Sequence, residues 1–160
     1  AFTQFAQEVR RYDTYRIIST GDGFPRPCAW HNWKENTWTD DTPEQAAEML
    51  RDDNPDPVNV MSVHAYGDDT GRIAAAMEVS RSVGKPLFVG EFGVPGPPAE
   101  SGAKFSTMLK AIEDANVPLA AVWTFGGRDG DAYSISPTNE RGYQLRLLTE
   151  ANDRLTAGRG

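Results

Sequence analysis

The chain has 160 residues, 39% of them hydrophobic and 24% charged, with 23 acidic against 16 basic side chains for a net charge of −7. That length suits a single domain with a core of its own, since domains commonly hold about 100 to 150 residues. No apolar run approaches the roughly 18 residues of a membrane span, and the acidic balance speaks against a nucleic-acid partner, whose phosphates need Lys and Arg. Cys28 is the one cysteine, which excludes an internal disulfide and a thiolate metal cluster.

Phe2, Phe5, Val9 and Tyr12 recur at helical spacing among polar residues, which predicts a helix with one buried face. No basic-then-apolar leader precedes it, so the sequence reads as if it began mid-structure. Tyr15-Arg16-Ile17-Ile18-Ser19 is rich in β-branched and aromatic residues and stops at Gly21 and Gly23, the pattern of a strand. A long loop with Trp30, His31 and Trp33 follows. Thr42-Pro43-Glu44-Gln45 then opens a helix to about Asp52, with Thr42 as cap, Pro43 in the first helical position and Gln45 closing a capping box.

Residues 58–63 read as the next strand, running into His64-Ala65-Tyr66-Gly67, and Asp68 and Asp69 precede and cap a helix that buries Ile73, Ala76, Met77 and Val83 and ends at Gly84. Pro86-Leu87-Phe88-Val89-Gly90 is almost continuously apolar, as in a parallel strand covered on both faces, and delivers Glu91 at its C-terminal end. A helix with Phe105, Met108, Leu109 and Ile112 stops at Asn116, and residues 119–125 form another strand. A polar, Gly-rich loop through Asp129 and Asp131 leads to a last helix with Tyr143, Leu147, Leu148, Ala151 and Leu155 as its apolar stripe. A helix followed by about four strand-helix units points to a parallel α/β architecture. An open doubly wound sheet is complete at this length, whereas a (β/α)8 barrel needs about 250 residues and this chain supplies half of one.

In either fold the C-terminal edge of the strands carries the active site, and Ser19, His64, Glu91 and Trp123 all fall at that edge. Glu91 follows an apolar strand and needs buried partners, which His64 and Tyr66, two residues apart on the neighbouring strand, are able to supply. Trp123 offers a flat apolar wall of the kind sugar rings lie on. Each residue also has a plainer reading: Glu91 as a structural ion-pair partner, His64 as a satisfied structural histidine, Trp123 as core, and Trp30 and His31 as loop anchors.

Together these residues resemble glycoside hydrolase family five, the cellulase and mannanase family of retaining barrel enzymes. The resemblance rests on Ile18-Ser19-Thr20-Gly21, His64-Ala65-Tyr66, Gly90-Glu91-Phe92-Gly93 and Val122-Trp123-Thr124-Phe125, which occur in the family's order and cover almost the whole chain. It implies the C-terminal half of a TIM (β/α)8 barrel, residues 1–160 forming one domain from the fourth helix to the eighth. It makes Glu91 the catalytic nucleophile, Tyr66 the residue that steadies it, His64 a subsite residue beside the scissile bond and Trp123 the floor beneath the sugar; Trp30 and His31 are further candidate substrate contacts on the reading of the loop itself. The substrate implied is a β-linked glucan or mannan, with no cofactor and no metal, and a polysaccharide substrate implies a secreted or periplasmic protein.

The family's acid/base glutamate sits in an Asn-Glu-Pro motif, and this sequence has none. Asn139-Glu140-Arg141 follows the last strand and opens a helix, so Glu140 reads as an N-terminal helix carboxylate. Asp22, Glu35 and Asp40 on the first loop are the remaining stand-ins. A half-barrel also leaves strand edges unpaired, so the expected partner is a missing N-terminal half or a second copy, the chain being a fragment of a longer hydrolase. Two other functions compete: a catalytically silent carbohydrate-binding half-barrel, and a metal-dependent hydrolase built on His31, His64, Asp22 and Glu91, whose spacing lacks any compact zinc motif.

Overall fold

The computed structural model describes residues 1–67, 69–127 and 130–157; Asp68 and Asp129 therefore lie outside the described residues. The elements are α1 (Phe2–Tyr12), α2 (Ala29–Glu35), α3 (Pro43–Asp52), β1 (Met61–Tyr66), α4 (Thr70–Val83), β2 (Leu87–Gly93), α5 (Pro98–Asp114), β3 (Leu119–Val122) and α6 (Tyr143–Ala157). The three strands form one parallel sheet in the order β1-β2-β3, so among the described residues the sheet has three strands where the sequence predicts about four.

The strand expected at residues 15–19 does not form a ladder. It runs alongside the segment before β1, tied by the Ile18 amide to the Asn59 side chain (2.8 Å) and by the Asn59 amide to the Ile18 carbonyl (3.2 Å). Its β-propensity is real, but a strand needs neighbours on its edge and face, and Tyr15 is 95% and Ile17 69% exposed. The face expected to bury α1 is likewise open: Phe5 and Tyr12 are exposed, and Ala6 is the residue that packs with Ile18 and Val58. β1 starts three residues later than expected and takes in His64 and Tyr66. The expected loop at Trp30 contains a short helix, α2.

Elsewhere the local signals hold. Gln45 donates its amide to Thr42 Oγ1 (3.3 Å) and accepts the Thr42 amide at 2.8 Å, a complete capping box. Gly84, at φ +68, closes α4 in the left-handed conformation, which lets Lys85 donate its amide back to the Ser80 carbonyl (3.1 Å). Asp69 occupies the N-cap of α4, but its carboxylate accepts from the Tyr66 amide (3.2 Å) and from Arg72 (3.1 Å) rather than from the helix's own amides. Val83 and Leu155 remain partly exposed.

The main core lies between the sheet and α4, α5 and α6. Leu87, Val89 and Phe92 of β2 meet Ile73 and Ala76 of α4 and Phe105, Met108 and Ile112 of α5, and the Phe92 ring stacks on Phe105 at 6.0 Å between centroids. Three buried residues carry ties that no periodicity foretold. Gln144 at the start of α6 donates to the Val94 carbonyl (2.8 Å), and Ile135 pairs with Phe125 in an isolated parallel bridge. Asn54, 2% exposed, accepts the Ser62 amide (3.0 Å) and the Thr20 hydroxyl (3.2 Å) while donating to the Leu50 carbonyl (3.0 Å), so one side chain joins α3, β1 and the residue 15–20 segment. Asn54→Ala orphans a buried amide and a buried carbonyl, each costing about 1–3 kcal/mol. Urea unfolding of this variant should show a loss of at least about 2 kcal/mol.

Candidate active site

The C-terminal edge of the sheet gathers three of the predicted site residues. His64 and Tyr66 are two apart on β1 and so share a face, and Glu91 pairs with His64 in the β1–β2 register. Tyr66 Oη donates to Glu91 Oε2 at 2.7 Å, and His64 Nδ1 lies 3.4 Å from the same oxygen. Glu91 Oε1 has no hydrogen-bond partner among the described residues. The carboxylate is thus held by one oxygen and open at the other, with the Glu91 and His64 side chains about a quarter exposed. Burial pushes the Tyr66 phenol well above its ordinary value, and the hydrogen bond and negative charge of Glu91 push it further. Tyr66 therefore stays a donor across any ordinary pH, as a group that steadies a carboxylate must.

Tyr66 is braced in turn by Tyr133, edge-on at 5.4 Å. The loop bearing Tyr133 comes close because Gly93 has no side chain: a Cβ there would stand 2.6 Å from the Trp123 carbonyl oxygen and 3.0 Å from the Tyr133 ring. Trp123 follows β3 directly, donates its amide to the Phe92 carbonyl (2.8 Å), is joined to Thr124 by a cis peptide bond, and leaves its indole 44% exposed at the rim.

Trp30 and His31 are placed elsewhere. Both backbone amides and His31 Nδ1 bond the Asp41 carboxylate at 2.8, 3.1 and 2.9 Å, and Trp30 Nε1 donates to Glu48 at 3.0 Å. Burial alone would raise the Asp41 carboxyl, but those three donors outweigh it and hold the group below its ordinary range. Their partners belong to α3 and the loop before it, not to β1 or β2. Of the three first-loop acids, Glu35 and Asp40 are exposed, while Asp22 is partly buried and lies within reach of the His64 charge. No group of three His, Cys, Asp or Glu side chains among the described residues is arranged to hold a metal ion, and the four residues of the metal reading are divided between Asp41 and Glu91 as centres.

No family model matches the sequence, and no curated protein matches it. Solved structures do resemble it. An endo-1,4-β-mannanase from Rhizomucor miehei aligns at a TM-score of 0.69 and 13% identity over 98% of this chain and 45% of the mannanase. The hyperthermostable endo-1,4-β-D-mannanase of Thermotoga petrophila RKU-1 aligns at 0.61 and 15% identity over 92% of this chain and 49% of its own. The endoglucanase Cel5A of Pseudomonas stutzeri aligns at 0.54 and 18% identity over 88% and 46%. The fold is that of a partial (β/α)8 barrel. The chain spans about half the length of these enzymes, and at such identities the likeness speaks to fold alone.

Asp53, at the C-cap of α3, carries a prediction of its own. Burial, then the nearby charges of Asp22 and Asp52, raise its carboxyl above the ordinary 3.8, and the negative end of the helix adds to the burden. The folded state therefore binds this proton more tightly than the unfolded chain, so the stability it contributes is present below 3.8 and is lost as pH rises through the higher folded value. Asp53→Asn should raise the melting temperature at pH 7, and the gain should vanish below the ordinary carboxyl value of 3.8.

Proposed function

We propose that this chain is the nucleophile-bearing half of a retaining glycoside hydrolase of the family-five kind, acting on a β-linked glucan or mannan, with residues 1–160 as one domain equivalent to the fourth through eighth helices of the barrel. The observation that carries this reading is the Glu91 carboxylate, held at Oε2 by Tyr66 and His64 and open at Oε1. In a retaining mechanism Oε1 attacks the anomeric carbon while a second carboxyl group, about 5 to 5.5 Å from the first, protonates the leaving oxygen; water then hydrolyses the glycosyl ester with the second group acting as base. Tyr66 holds the attacking group in one rotamer. Trp123 supplies the apolar floor, and with Trp30 and His31 bonded to Asp41 and Glu48 the sugar-binding role falls chiefly to it.

The second carboxyl group comes from a partner that completes the barrel, either an N-terminal half or a second copy of the chain. In support, the apolar side chains of Phe5, Tyr12, Tyr15 and Ile17 are exposed around α1 and the segment after it, and Leu119 and Phe125 at the β3 end of the sheet. A single domain leaves such surface uncovered at the cost of solubility. A catalytically silent carbohydrate-binding half-barrel is the second reading, favoured by the absence of an Asn-Glu-Pro motif.

The deciding experiment uses a leaving group that needs no protonation. A 2-fluoro cellobioside or mannobioside with a dinitrophenolate leaving group requires the nucleophile alone, so the chain by itself should gain the mass of one glycosyl unit, mapped to Glu91, and Glu91→Gln should gain none. Folded protein that binds cello- or manno-oligosaccharides without forming the adduct selects the silent reading.

A further inference from the structure

The helix-facing side chains of β2 are Leu87, Val89 and Phe92, all buried in the core. Strict alternation along a strand would place residues 87, 89 and 91 on that face, so one extra residue is inserted between Val89 and Phe92. Both neighbouring strands count the same insertion. On one side Val63 opposes Val89 while the next residue, His64, opposes Glu91; on the other Ala120 opposes Val89 while Val122, two further on, opposes Phe92. This is a β-bulge, uncommon in a parallel sheet and frequent beside functional sites, where it re-aims a side chain.

The change of aim is complete. An unbroken period of two would turn Glu91 toward α4 and α5, into the apolar layer with Leu87 and Val89, where a charged carboxylate has no donor. With the insertion Gly90 and Glu91 lie together on the inner face, shared with His64 and Tyr66, and Phe92 takes the helix-facing place. The inserted position must also be small. A Cβ on Gly90 would stand 3.4 Å from His64 Cδ2 and Nε2 and from Phe88 Cε1, so a methyl fits and a branched side chain crowds the imidazole. Gly90 is not among the glycines with positive φ, and the demand there is for space rather than backbone freedom.

We propose that Gly90 is a positioning residue: the extra residue turns Glu91 from the helix face to the inner face, and the missing side chain leaves the room in which His64 reaches the carboxylate. Its part in catalysis rests on Glu91 being the nucleophile; its part in geometry does not. Two measurements on the 160-residue chain need no turnover. In amide hydrogen exchange followed by NMR, the unaltered protein should show one unprotected amide at Gly90 or Glu91 between protected neighbours, because the extra residue of a bulge leaves the ladder. Uniform protection through this stretch would overturn the proposal whether or not any variant folds.

In the second measurement, alkaline titration of each protein minus its Tyr66→Phe counterpart isolates the Tyr66 phenol. Gly90→Ala, whose methyl just fits, should keep that phenol elevated, whereas Gly90→Val, by shifting the Glu91 carboxylate off Tyr66, should remove the contributions of that hydrogen bond and charge and lower the phenol part-way, burial holding the remainder, and slow trapping at Glu91 by roughly 100-fold. A folded Gly90→Val protein whose phenol titrates together with that of the unaltered protein sinks the positioning role. If the exchange and titration results hold and no protein is trapped at Glu91, the glycosidase reading fails instead and the geometric role stands.

Discussion

The burial of Leu87, Val89 and Phe92 against α4 and α5 is the constraint from which the rest of the molecule is placed. These three side chains fix which face of the central strand is apolar, and apolar burial at about 25 cal/mol per Å² makes that choice hard to reverse. The aromatic stack of Phe92 on Phe105, itself edge-on to Tyr143 of α6, ties the same strand to the last helix. Because β2 is paired on both edges, the strand that carries Glu91 is held from both sides.

The two ends of the sheet are in a different condition. β2 is enclosed, whereas β1 and β3 each have one unpaired edge among the described residues, and exposed aromatic and aliphatic residues lie on α1 and the segment after it, at Trp33 and Trp38 in and beyond α2, and on and after β3. The carboxylate thus sits on the enclosed strand, and its two partners, His64 and Tyr66, reach it from the edge strand β1. On the proposed reading, a second carboxyl and a closed inner layer would come from the partner that meets these open edges.

Much of this was legible in the sequence because it is local. The Thr42–Gln45 capping box, the glycine stop at Gly84 and the apolar stripe of α5 are set by residues a few positions apart, and each appears as read. The approach of Tyr66 and His64 to Glu91 was legible from strand-end motifs alone. What was not legible depends on distant parts of the chain. The run at residues 15–19 has strand-forming residues but no edge to pair with, and α1 has an apolar stripe but little to bury it against. Asn54 and Gln144 look like ordinary polar residues, and only the fold reveals that their amides satisfy buried backbone groups. His31 reads equally as a ligand contact and as a loop anchor, and only the fold shows that its ring meets Asp41, the carboxylate that also accepts the Trp30 amide.

The bulge on β2 also bears on how such a site could be moved or rebuilt. A designer who copied Glu91, Tyr66 and His64 onto a regular parallel sheet would keep the residue types and lose the arrangement, since an ideal two-residue repeat sends the carboxylate to the wrong layer. The portable unit is the whole of Leu87–Gly93 with Met61–Tyr66 beside it, in which a single residue without a side chain changes the phase of everything after it. For insertions and deletions the outcome depends on where the length changes. One residue gained or lost in the loop after Gly93 leaves the carboxylate's facing untouched, while the same change between Val89 and Phe92 alters the count that sets it.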